Sequence, residues 1–150
     1  MSTVTTELAQ QLVVFSLGDE EYALPITQVQ EIIRYTEPRA VASEDPSIEG
    51  VISLRGKIVP VCNLASRLAL NGERAENAKI VIVETAGGTA GITVDEVQEV
   101  LTLEEGQLDA VPAAGTDFIE AVAKIGTRLV VLLNADGIFA GEALAAAAQG

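Results

Sequence analysis

Val29-Gln30-Glu31-Ile32-Ile33 returns as Val97-Gln98-Glu99-Val100-Leu101, an ungapped offset of 68 residues (29 to 97). The match extends outward, with Leu12 to Arg34 lying over Ile80 to Thr102. Val13 meets Val81, Leu24 meets Ile92 and Ile26 meets Val94. Further along, the offset becomes 71 (48 to 119). Ile48-Glu49-Gly50-Val51 meets Ile119-Glu120-Ala121-Val122, and Ile58-Val59-Pro60-Val61-Cys62-Asn63 meets Leu129-Val130-Val131-Leu132-Leu133-Asn134. Two ungapped blocks in the same order point to an internal duplication with a small indel in the intervening loop. The halves are about 12–70 and 78–140. Each is short for an independent domain, so the two are expected to pack on each other.

Both halves read as short β-branched strands separated by turn residues. In the first half the strands are Leu12–Leu17, Tyr22–Leu24, Glu31–Tyr35, Gly50–Leu54 and Ile58–Val61, with a helical turn at Ile26–Val29. Gly18 to Glu21 and Arg55-Gly56-Lys57 form hairpin turns, and Pro38–Ser47 is loop. Pro60 cannot donate to a ladder, which predicts an edge strand or an early end. Asn63 is placed to cap a short helix through Leu70. The second half repeats the plan with Lys79–Glu84, Ala90–Val94, Glu99–Leu103, Ile119–Ile125 and Arg128–Leu133. Leu108–Thr116 is predicted as loop, and the Ala-rich stretch from Asp136 to Gln149 as a terminal helix. About ten strands in two sets of five predict an all-β fold. Two small barrels fit best, because closure manages the sheet edges.

Composition narrows the function classes. The chain has 150 residues, with 9 basic and 22 acidic side chains and a formal charge of −13. So few scattered cations argue against a nucleic-acid partner or an anionic membrane surface. There is no His, which removes the commonest general base and metal ligand. One Cys permits no internal disulfide and no zinc cluster. No metal or cofactor is expected, and no catalytic residue is identifiable. The start lacks the basic-then-apolar pattern of a signal peptide, and no apolar run approaches a membrane span, so a cytoplasmic location without direct membrane contact is the default expectation.

Three features stand out. Arg55 sits at a hairpin tip where the second half has Gly126. It is read either as a solvated turn residue, as a partner for an acid such as Glu31, or as a residue with work specific to its half. Val29 and Val97 occupy equivalent positions, and are either ordinary core or the lining of a shared groove between the halves. Cys62 matches Leu133, which favours a buried, inert thiol. The acidic pairs Asp95-Glu96 and Glu104-Glu105 read as surface charge, and Gly87-Gly88 as a turn.

The segments Val14 to Tyr22, Val29 to Ile32, Ile48 to Gly56, Ile58 to Leu64 and Gly91 to Val97, in this order and spacing, resemble the CheW coupling proteins of bacterial chemotaxis. Two positions depart from the usual pattern: Ser53 replaces an Asn before Leu-Arg-Gly, and Asn63 replaces an Asp. The resemblance covers roughly residues 10–142 and implies two SH3-like five-stranded barrels. It places a single CheW-like domain at 12–142, between a flexible N-terminus (1–11) and an Ala-rich tail (143–150). It implies a non-enzymatic adaptor that couples the cytoplasmic tips of methyl-accepting chemoreceptors to the regulatory domain of a CheA-type histidine kinase. Val29, Gly50, Arg55 and Val97 would contact the receptor helices, with Gly50 allowing close approach, and Glu31 would pair with Arg55. The kinase would meet barrel ends, with Ala113, Ala114 and Phe118 as candidate contacts. A similar coupler in another CheA-like pathway, such as surface motility, would use the same surfaces. A ligand-binding regulatory barrel is the alternative from a different class.

Overall fold

The computed structural model describes residues 11–41, 47–68, 76–104, 107–110 and 119–139. In chain order the strands are β1 (Gln11–Leu17), β2 (Glu20–Pro25), β3 (Val29–Arg34), β4 (Ile48–Leu54), β5 (Lys57–Asn63), β6 (Lys79–Thr85), β7 (Gly88–Val94), β8 (Glu96–Thr102), β9 (Leu108–Ala110), β10 (Ile119–Ile125) and β11 (Arg128–Leu133). A 3-10 turn spans Ile26–Gln28, and helices α1 (Leu64–Arg67) and α2 (Ala135–Ile138) follow the last strand of each half. The fold is all-β with short helices, as the strand pattern predicts.

The strands form two sheets, ordered β8-β1-β2-β11-β10-β9 and β3-β6-β7-β5-β4. The repeat maps one order onto the other: β3 corresponds to β8, β6 to β1, β7 to β2, β5 to β11 and β4 to β10. Each sheet therefore takes its central hairpin from one half of the chain and its remaining equivalent strands from the other. The β1–β2 hairpin sits among β8, β10 and β11, and the β6–β7 hairpin among β3, β4 and β5.

This exchange explains why β1 and β6 read as unbroken apolar runs. Side chains alternate faces along a strand, and both faces of these two strands are covered. Leu12 and Val14 fill the core of the first sheet, with Ala23, Ala123, Val130 and Leu132. Ile80 and Ile82 fill that of the second, with Ile52, Val59 and Val61. The opposite faces of the same strands, Phe15 and Leu17 on β1 and Val81 and Val83 on β6, enter a third and larger cluster at the junction. Cys62 and Leu133, equivalent in the repeat, are buried in that cluster together, and the Cys62 thiol lies 3.7 Å from the Ser47 hydroxyl.

Several local expectations are corrected. Leu108–Ala110, expected as loop, pairs with Ala121–Ala123 as a sixth strand of the first sheet. The strand containing Pro60 is interior, lying between β4 and β7. Proline is tolerated there because pairing with β7 begins only at Val61, so no donor is missing on that side. Helix α1 is shorter than predicted and ends at Arg67, with Leu68 as its C-cap. Asn63 does cap it, accepting a hydrogen bond from the Ser66 N–H at 3.2 Å. Its repeat counterpart Asn134 also caps its helix, α2, accepting from the Asp136 N–H two residues on at 2.9 Å. The helix expected from Asp136 instead starts at Ala135 and ends at Ile138. Its expected continuation, the Asn71-Gly72 stop and the N-terminal 1–10 lie outside the described residues.

Candidate docking site at the barrel junction

The repeated Val-Gln-Glu triplet has one structural reason in both copies. Each glutamine is the extra residue of a β-bulge. Val29 and Glu31 pair with consecutive residues Val83 and Ile82 of β6, and Val97 and Glu99 with Phe15 and Val14 of β1. A bulge re-aims the side chains on either side of it. Val29 and Val97 consequently turn to the junction, where both are half-buried against the central cluster. The glutamines clip onto the neighbouring strand at equivalent positions, Gln30 donating to Glu84 and Gln98 to the Ser16 hydroxyl. The glutamates each take an arginine.

Glu31 is paired with Arg55, which donates through both Nη1 and Nη2, the latter at 2.8 Å. The arginine side chain is 70% exposed and that of Glu31 26% exposed. The pair is therefore at the surface, where water and salt screen it. The hydrogen bonds from Arg55 hold the Glu31 carboxyl below the ordinary carboxylate range. Glu99 takes Arg128 at 2.8 Å. Arg128 also binds Glu21, donating through Nε at 3.0 Å and Nη2 at 2.9 Å. Sequence reasoning missed this second clasp. Arg128 aligns with Lys57 and not with Arg55, although the repeated glutamate marks the place.

Arg55 is the only non-glycine residue with positive φ among the described residues (φ 53°). It and Gly56 (φ 81°) are the two central residues of the β4–β5 hairpin. A two-residue loop with positive φ at both positions is the turn that matches strand twist, and Asn, Asp or Gly suit its first position. The second half meets that preference with Gly126 at its hairpin tip. An arginine held left-handed is a local cost, and such costs collect at functional positions.

Gly50 is buried for a reason within the chain itself. A Cβ there would lie 2.1 Å from the carbonyl oxygen of Arg39 and 2.6 Å from its carbonyl carbon. Arg39 and Val51 exchange backbone hydrogen bonds of 2.8 and 2.9 Å directly beside it. The glycine thus admits the chain's own crossing segment, where a partner helix had been expected to approach. Below it, Glu49 accepts from the Tyr35 hydroxyl at 3.2 Å and from Asn63 Nδ2 at 2.7 Å. The expected kinase contacts Ala113, Ala114 and Phe118 lie outside the described residues.

Among the described residues no group of three or more His, Cys, Asp or Glu side chains gathers as a metal site, and no helix is long and apolar enough to cross a membrane. What the fold presents is a pair of pseudo-symmetric sheets, a shared apolar junction and an exposed ionic clasp. That is a docking module of the two-barrel type.

Comparison with known proteins gives the family. Residues 11–143 match the CheW-like domain, and the chain belongs to this family. It is 31% identical to the chemotaxis protein CheW of Klebsiella aerogenes, over 92% of this chain and 86% of that one. It is 32% identical to CheW of Bacillus subtilis, over 91% and 90%. The crystal structure of the scaffolding protein TtCheW from Thermoanaerobacter tengcongensis superposes with a TM-score of 0.83 and 32% identity, covering 90% of this chain and 95% of that one. The protein is a non-enzymatic chemotaxis adaptor with two β-sheet subdomains.

Proposed function

We propose that this chain couples the cytoplasmic tips of methyl-accepting chemoreceptors to the regulatory domain of a CheA-type histidine kinase, in the cytoplasm at membrane-anchored receptor arrays. The receptor tip would dock along the junction, where an amphipathic helix can lay apolar side chains beside Val29 and Val97. Arg55, Glu31 and the Gly50 crossing flank that surface. The observation that carries the reading is Arg55. It is exposed, held at positive φ and clasped by Glu31, so its guanidinium is presented in one orientation. The kinase would meet barrel ends, including the segment with Ala113, Ala114 and Phe118.

The test is capture of a purified receptor-tip fragment and, separately, of the kinase regulatory domain. Wild type captures both. Arg55→Ala and Val29→Asp lose the receptor tip and keep the kinase domain, while Phe118→Ala does the reverse. Arg55→Ala leaves the denaturation midpoint nearly unchanged because the pair is exposed. Failure of wild type to hold either partner at tens of micromolar refutes the reading. The pH sign follows from Glu31. Its depressed carboxyl keeps the clasp intact through mild acid, and the clasp is lost only as pH falls through the folded value, below the usual carboxylate range. Receptor capture is expected to fall in that window.

A further inference from the structure

The duplication makes each barrel a control for the other, and the edge strands β3 and β8 are the informative pair. Among the described residues β8 pairs only with β1, as β3 pairs only with β6. Each of these strands carries the bulge that turns a valine to the junction, and each bulge interrupts the one ladder that holds its strand. The valine's place therefore depends on what fixes the residue just past the bulge, which is Glu31 in β3 and Glu99 in β8.

In the first sheet that residue is fixed from across the barrel. Residues facing one another across antiparallel strands share a side of the sheet. Glu99 pairs with Val14, and Arg128 with Ile125, and both apolar partners pack in the core of this barrel. Glu21 lies two residues before Ala23 of the same core, and side chains alternate along a strand, so Glu21 shares that side. The three charged groups thus meet at the rim of the barrel interior. Val97 points the other way, paired with Phe15 of the junction cluster. Strands β8 and β11 are separated in the sheet by β1 and β2. In a flat sheet three strand spacings would hold them about 14 Å apart. The 2.8 Å contact between Arg128 and Glu99 is therefore made across the curl of the barrel. Arg128 is itself held by Glu21, to which it donates through Nε and Nη2, and a two-pronged bond of this kind fixes the plane of the guanidinium. Its side chain is 36% exposed where that of Arg55 is 70% exposed. Arg55 is presented outward, whereas Arg128 is turned in onto two carboxylates.

We propose that Arg128 is a positioning residue for docking at the junction. Through Glu99 it anchors β8 just past the bulge, and so sets Val97 as the wall that the second half of the chain contributes. This rests on the docking of a receptor helix at the junction proposed above.

Methyl NMR of the valine-labelled full chain, first alone and then titrated with a purified receptor-tip fragment, reads the two steps apart. In Arg128→Ala the Val97 methyl signals are expected to shift or broaden, while those of Val29 keep their wild-type positions. The tip should bind about tenfold more weakly, within the range by which residues without ligand contact change an affinity. Glu99→Ala should do the same, and the double variant should lose no more than either alone, because the two residues act as one link. A cooperative denaturation transition shows that each variant is folded, and an ion pair that only stabilises would lower its midpoint without singling out Val97. Val97 signals that stay in place in Arg128→Ala overturn the inference. So does wild-type affinity in that variant, and so do additive losses in the double variant. Wild type that binds no tip overturns the docking reading and with it the purpose assigned to Arg128. That outcome is told apart from the others because the Val97 signals of the unliganded chain need no partner.

Discussion

Gly50→Ala is the sharpest test of how the region around the clasp is built. The added Cβ would sit 2.1 Å from a backbone oxygen, so no side-chain rotation relieves it. Either the 39–40 segment moves off β4 or β4 itself shifts. Moving the segment breaks the two hydrogen bonds between Arg39 and Val51, a net loss of about 1 kcal/mol each. Position 50 also holds φ +152°, which costs a side-chain-bearing residue about 1–2 kcal/mol. The expected destabilisation is about 2–4 kcal/mol. For a chain of this size that lowers Tm by about 5–15 °C. Urea denaturation and calorimetry measure it, and faster amide exchange at Val51 locates it. The repeat supplies the control. Ala121 occupies the equivalent position and already carries a Cβ, so Ala121→Gly should cost only about 0.5–1 kcal/mol. A Gly50→Ala loss below about 0.5 kcal/mol would refute the steric argument, because the two hydrogen bonds alone exceed it.

Two further predictions follow from the packing and the second clasp. Phe15 is fully buried in the junction cluster with residues from both halves, so Phe15→Ala should cost about 3–5 kcal/mol. Both sheets should still unfold in one transition, and two resolved transitions would show that the junction does not couple them. Arg128→Ala leaves Glu21 and Glu99 without their shared cation. A partly exposed network of this kind contributes about 1 kcal/mol, and the difference from wild type should shrink as salt is added. A loss independent of salt would mean that Arg128 acts through packing of its side-chain stem.

The strand order along the chain was legible because β-branched runs and turn residues alternate cleanly, and the duplication was legible because the Val-Gln-Glu triplet survives intact. The equivalence of Val29 and Val97 left core and a shared groove both open, and the bulges turn both residues to the junction. The reason for the triplet was not legible, since a bulge is a mismatch between two strands and β3 finds its partner, β6, only in the other half. The same limit hid β9, whose three residues have no pattern of their own and become a strand by pairing with β10. It also hid the purpose of Gly50, which depends on the Arg39 crossing. The second clasp was missed because Arg128 lies two positions from where the first clasp would put it. Long-range pairing chose which of these residues meet, and a local reading does not contain it.

The exchange of hairpins also bears on how an adaptor of this shape can work. Each half of the chain crosses from one sheet to the other, so parting the barrels would leave both sheets paired and fall on the junction between them. It would expose Phe15, Leu24, Ile92 and Phe139, all buried at the junction. Burying four side chains of this size stabilises by roughly 6–12 kcal/mol in all, at about 1.5–3 kcal/mol each, which rivals the total stability of an ordinary domain. Opening at the junction is therefore not separable from unfolding. A chain built this way holds its two sheets in one fixed arrangement. The exposed feature that differs between the halves, Arg55 at one hairpin tip where the other half has Gly126, then tells one face from the other.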